Sequence, residues 1–125
     1  RLNATGIHLS AASIESWAET PIERVCLRDV SLEFVGGGAA LTSHPQVRAP
    51  GVDARALPCW GLYVRNVKTL QLEDVRLAVE TPDARPGVMA EHVGTIELDH
   101  FRIPQGEGPP MILEDVREVR PAPKD

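Results

Sequence analysis

The chain has 125 residues, 42% of them hydrophobic, with 18 acidic against 13 basic side chains and a formal net charge of -5. That length allows one domain with a modest core. The interspersed charge, lacking any Lys/Arg cluster with aromatic residues between, excludes a phosphate-binding surface and hence a nucleic-acid partner, and no apolar run approaches membrane-spanning length.

The chain opens at Arg1, without Met and without a signal peptide, which reads as a fragment boundary and leaves the compartment undetermined. Gly6-Ile7-His8-Leu9 imitates Gly61-Leu62-Tyr63-Val64 and is expected to supply an incomplete first coil. Asn3-Ala4-Thr5 fits a glycosylation acceptor, a short pattern that often arises by chance. Ser13 to Thr20 reads as a short helical turn or loop, with Pro21 punctuating the entry to the next strand.

From Ile22 onward a repeat governs the pattern. Residues 22–32, 67–77 and 93–103 place apolar side chains at their first, fourth, sixth, ninth and eleventh positions, and Val116-Arg117-Glu118-Val119 begins a fourth copy. The stretches 62–66, 88–92 and 111–115 precede three of these copies in matching register. The period is 26 residues from Val67 to Val93 and 23 from Val93 to Val116; Ile22 to Val67 takes 45 because an insertion intervenes. Periods of this size mark solenoids.

Within a copy the apolar positions alternate, as Leu70 and Leu72 do, which is the two-residue period of a half-buried strand. The phase then slips by one across Glu73-Asp74, which requires a corner if the same face is to stay inside. Asp29, Asp74 and His100 fall at one such corner, and Asn66, His92 and Asp115 at another, all residue types that tolerate left-handed backbone. The expectation is an all-β chain, a right-handed parallel β-helix of about three to four coils, with inward columns Val25/Leu70/Ile96 and Leu27/Leu72/Leu98. A leucine-rich repeat is the rival solenoid, but its Asn-centred consensus and helix-bearing unit are not matched. One domain is expected over residues 1–120, with 35–60 as an inserted loop and 121–125 as a polar tail. Solenoid ends expose strand edges, so caps, neighbouring coils or a homo-oligomeric partner are needed there.

The insertion opens with Gly36-Gly37-Gly38, which lacks the Lys-Ser/Thr of a phosphate loop and reads as flexible. Long loops often carry function. Arg48, Arg55, Trp60 and Tyr63 gather in or just after it, a set of aromatic faces and charged donors suited to carbohydrate. The plainer reading has Trp60 packing over the loop's end and Tyr63 lying on an outer strand face. His44 reads as a solvated loop histidine, the corner aspartates as bonded to their own turns, and Asp83 with Arg85 as a turn-closing ion pair. Cys26 and Cys59 lack metal-site spacing and read as two free thiols. No cofactor is indicated.

Taken together, residues 22–34 with the triple glycine, then residues 57–67, then Pro82-Asp83-Ala84-Arg85-Pro86, resemble the C-terminal coils of the polygalacturonase-like glycoside hydrolases, family 28, of the pectate-lyase-like β-helix superfamily. The resemblance covers about Ile22 to Val119. It implies a secreted or periplasmic protein related to enzymes that cleave pectin-like polysaccharide with inversion, which takes two carboxyls roughly 6.5–9.5 Å apart. The family's Asn-Thr-Asp, Asp-Asp, Gly-His-Gly and Arg-Ile-Lys motifs do not occur in this chain. The resemblance therefore implies catalytic coils upstream of Arg1 and assigns no catalytic residue here. The expected function is a non-catalytic β-helix segment contributing to polysaccharide binding; the alternatives are an active glycosidase or a self-associating scaffold.

Overall fold

A computed structural model describes residues 2–7, 11–39, 47, 49–50, 57–104 and 109–121. Among these the chain is all-β: β1 (Leu2–Ile7), β2 (Ala12–Glu15), β3 (Ile22–Gly36), β4 (Leu62–Thr81), β5 (Val88–Arg102) and β6 (Met111–Pro121). Every pairing is parallel, in one six-stranded sheet ordered β1-β3-β4-β5-β6, with β2 also against β4.

The repeat in the sequence is the register of the sheet. Ile22 pairs with Val67, Val67 with Val93 and Val93 with Val116. Val25, Leu70 and Ile96 line up across three strands, as do Leu27, Leu72 and Leu98. Aligned aliphatic side chains stack into columns that form the main core, in which Leu70, Leu72, Val64 and Ile96 are fully buried. Burying each such side chain contributes about 1.5–3 kcal/mol.

The phase slip is resolved by backbone conformation. Asp29, Asp74 and His100 take φ of 56°, 50° and 53°, and Asn66, His92 and Asp115 take 59°, 56° and 54°. These six are the non-glycine residues with positive φ among those described. A left-handed residue redirects the strand, so Leu72 before Asp74 and Val75 after it both reach the same core. Side chains bond to neighbouring chain at these positions: His92 Nδ1 on β5 lies 2.7 Å from Asp115 Oδ2 on β6, and Asn66 Nδ2 donates to the Ala18 carbonyl in the link from β2 to β3. The corner groups thus reach across to adjacent chain, not only into their own turns.

Three expectations are corrected. Ile7 pairs with Phe34, not beside Leu62; the partner of Leu62 is Ala12, because β2 supplies its own inward Ile14. His8 and Leu9 lie outside the described residues. The stretch from Ser13 begins as strand, since Ala12–Glu15 completes an edge on β4. The triple glycine is fixed by packing, not merely loose: φ is 77° at Gly36 and 88° at Gly37, and a Cβ on Gly36 would stand 2.3 Å from the Thr81 carbonyl oxygen. Gly38 sits as tightly against Arg85, whose Nε would be 2.2 Å from an added Cβ.

A parallel sheet is stable when both faces are covered. The outward side chains Tyr63 and Met89 meet Leu57, Cys59 and Val47, all from the span between β3 and β4, in a second apolar cluster. Part of the insertion is therefore a cover for the outer face.

Candidate functional site

A cleft walled by an indole, an ion pair and a glutamate forms where three connections stack. Trp60 precedes β4, the turn Pro82–Gly87 joins β4 to β5, and Pro104, Pro109 and Pro110 belong to the link from β5 to β6. Gly61 N and Leu62 N donate to the Gly87 carbonyl at 3.0 and 2.9 Å, while Gly87 N and Val88 N donate to that of Pro110 at 3.0 and 3.1 Å. These bonds stack the connections as the strands are stacked. Between them lies a space of about 190 Å³, also walled by Val79, Glu80, Asp83 and Arg85.

Trp60 is 6% exposed. Its ring meets Phe34 edge-on, with centroids 5.8 Å apart at 66°, and lies where a Cβ on Gly87 would come within 2.8 Å of Cζ2. It gives the cleft an edge and not an open face.

Asp83 is the organising charge. Its Oδ1 accepts from the Arg85 backbone N–H and Nε, both at 3.0 Å, and its Oδ2 accepts from Arg85 Nη2 and from Gly38 N, both at 2.8 Å. Burial alone would raise this carboxyl's pKa, but the Arg85 guanidinium and the amides of Arg85 and Gly38 outweigh it and hold the group below the usual aspartate range. The same bond raises Arg85. The Pro82–Gly87 turn is thereby tied to the triple glycine, with Ala84 N donating back to the Gly38 carbonyl. The turn-closing role expected for Asp83 and Arg85 is what the geometry displays. What the sequence did not reveal is the third member, Gly38, because the two stretches are 45 residues apart.

Tyr63 is fully buried, so neither ring face is open to a sugar. Its hydroxyl donates to Glu91 Oε2 at 2.7 Å, and Arg65 Nη1 reaches the same oxygen at 3.0 Å. Burial, then the bond to Glu91, drive the phenol's pKa upward, which removes it as an acid or base at neutral pH. Arg65 in turn lies 3.9 Å over the Trp17 ring. Arg48 and Arg55 lie outside the described residues, as does His44. The four side chains singled out from sequence are therefore represented here by two, one at the cleft and one beneath the outer cover.

The two described imidazoles, His92 and His100, stand at corners in open surroundings. His100 Nδ1 lies 2.7 Å from Asp99 and 3.9 Å from Asp74, beside Arg76 and Arg102. No group of three His, Cys, Asp or Glu is placed to hold a metal among the described residues. Cys26 is exposed and Cys59 buried, both as free thiols. Burial pushes the Cys59 thiol up to about 12. No helix of the described residues is long and apolar enough to cross a membrane.

Comparison with family models, with curated proteins and with solved structures found no match.

Proposed function

We propose that this chain is a run of right-handed parallel β-helix coils of the polygalacturonase-like kind, non-catalytic in itself, whose Trp60 cleft makes contact with polysaccharide. Parallel strands, a repeat that equals their register and left-handed residues recurring at two aligned positions support the helix. Its hand follows from the strong preference of parallel crossovers.

The observation that carries the non-catalytic reading is the condition of Asp83. Glycoside hydrolysis usually needs two carboxyl groups, one of them held protonated to serve as acid. Among the described residues the cleft walls hold two, Glu80 and Asp83, and the second is ionised and saturated by Arg85 and Gly38. That leaves one exposed glutamate among the described residues, which makes a hydrogen-bond acceptor and not a catalytic pair. The prolines and the indole edge offer apolar surface to the C–H side of a sugar, with Glu80 and Arg85 placed for its hydroxyls.

Incubation with polygalacturonate and related polysaccharides should release no reducing ends. Nuclear magnetic resonance titration with pectic oligosaccharides should shift the Trp60 indole N–H, and Glu80→Gln should weaken that response severalfold. Robust turnover would refute the non-catalytic reading. An indole signal unmoved at saturating oligosaccharide would refute the cleft as a contact.

A further inference from the structure

Arg76 on β4 pairs with Arg102 on β5, in an outward row that continues to Ser31 on β3. Alternation fixes their direction: Val75 and Leu77, on either side of Arg76, are buried, while both arginines are exposed. One repeat separates the two in sequence, so no basic cluster marks them, and the register alone brings them together. Other cations have an acid close by. Arg28 lies 2.7 Å from Glu73, Lys68 2.9 Å from Glu23, and Arg65 3.0 Å from Glu91. Neither Arg76 nor Arg102 forms an ion pair among the described residues. Like charges on neighbouring strands repel. Arg76 is enclosed in its row by Ser31 and Arg102, so its lack of a counter-charge does not depend on what lies beyond either edge of the sheet.

The nearest acids of the same wall belong to the corner two residues earlier. Asp74 Oδ1 lies 3.9 Å from His100 Nδ1, a nitrogen that also lies 2.7 Å from Asp99 Oδ1, and Asp29 takes the corner position on β3. Between the corner row and the arginine row lies a space of about 270 Å³, with the buried Val30 and Val75 in its wall.

We propose that this space holds the sulfate ester of a sulfated polysaccharide. That the ligand is a sugar chain rests on the polysaccharide reading given above; the ester follows from the donors. A carboxylate has two oxygens in one plane and is satisfied by the fork of a single guanidinium, which leaves the second arginine uncompensated. A sulfate ester has three free oxygens arranged as a tripod. It can take the fork of Arg76, accept from Arg102 on one side and accept from the Ser31 hydroxyl on the other. Asp29 and Asp74 repel a bare dianion, but they accept hydrogen bonds from the hydroxyls of the sugar that carries a singly charged ester. One row therefore donates and the next accepts. Arg76, Ala78 and Glu80 alternate on the outward side of β4, so about 13 Å of strand leads from this space to the Trp60 cleft, and a short sugar chain can reach both.

Nuclear magnetic resonance titration of the full chain tests this by following the arginine Nε–H signals together with the Trp60 indole N–H. Oligosaccharides of a sulfated galactan should move the Arg76 and Arg102 signals. The desulfated galactan and pectic oligosaccharides should leave them in place, and inorganic sulfate should bind roughly tenfold more weakly, because it brings no hydroxyls. Arg76→Gln and Arg102→Gln should each weaken binding of the sulfated galactan roughly tenfold, and Ser31→Ala about threefold, with circular dichroism melts showing that every variant is folded. Arginine signals that stay still, or binding indifferent to Arg76→Gln, overturn the inference. So does inorganic sulfate binding as tightly as the ester, which would make this an adventitious ion site only, and so do pectic oligosaccharides that bind here equally well. The indole signal judges the cleft separately. If it moves while the arginines do not, the polysaccharide reading survives and this site is refuted; if the arginines alone move, the site stands and the cleft is refuted.

Discussion

Replacing Asp83 by Asn tests the interaction that sets both the shape and the inertness of the cleft. The native carboxylate accepts four hydrogen bonds, two on each oxygen. Asparagine keeps one oxygen and turns the other into a donor, so two of those bonds are lost and an N–H faces an N–H. Charge-assisted bonds to a buried group contribute about 1.5–3 kcal/mol each. The Asp83 side chain has no exposure, but that of Arg85 retains 27%, so water recovers part of the loss on its side. The net expectation is a destabilisation of about 2–3 kcal/mol, a fall in melting temperature of about 10 °C for a chain of this length. Urea unfolding followed by circular dichroism measures it. The pH dependence supplies an independent check. Because the folded-state pKa of Asp83 is lowered, its stabilisation is fully present above the ordinary aspartate value of about 3.9 and is lost as pH falls through the lower folded value. The gap between native and variant chains should therefore narrow below about pH 4. A loss under about 1 kcal/mol, or a gap that persists unchanged into strong acid, would refute the reasoning.

Gly87→Ala should cost about 1–3 kcal/mol and perturb Trp60 fluorescence, since the new methyl meets Ile103 Cδ1 at 2.3 Å and the indole at 2.8 Å. At the corner, Asp74→Val should destabilise by about 1–2 kcal/mol while Asp74→Asn stays within about 0.5, because φ of 50° suits Asn and strains a β-branched side chain; equal effects on the melting temperature would count against the strain argument. Thiol labelling at pH 8 should modify Cys26 rapidly and leave Cys59 untouched until the chain unfolds, given exposure of the one and burial of the other with a pKa near 12. Two fast equivalents would contradict it.

The repeat was legible from Ile22 onward because its information is local: alternating aliphatics and turn-tolerant residues in every repeat write both the strand and its register. It was illegible before Ile22, where short strands contribute too few positions. The Gly6-Ile7 likeness to Gly61-Leu62 set the wrong rung, and β2 went unread because Ile14 is the only large apolar side chain in it. The site was legible to a smaller degree. Trp60 and the Asp83–Arg85 pair stood out by type and spacing, but exposure is not written in a residue's identity. Tyr63 points outward by strand parity, as the alternation implied, and is nevertheless fully buried because Leu57 and Cys59 come over it.

Periodicity by itself thus determined the parallel pairing, the aligned apolar columns and the places where the backbone goes left-handed, since each depends on neighbours within one repeat. Only the tertiary structure decided what covers the outer face, why three glycines stand together, and that Asp83 is already spoken for. Those outcomes depend on segments brought together from far apart in the chain, and contacts of that kind leave no local pattern to read.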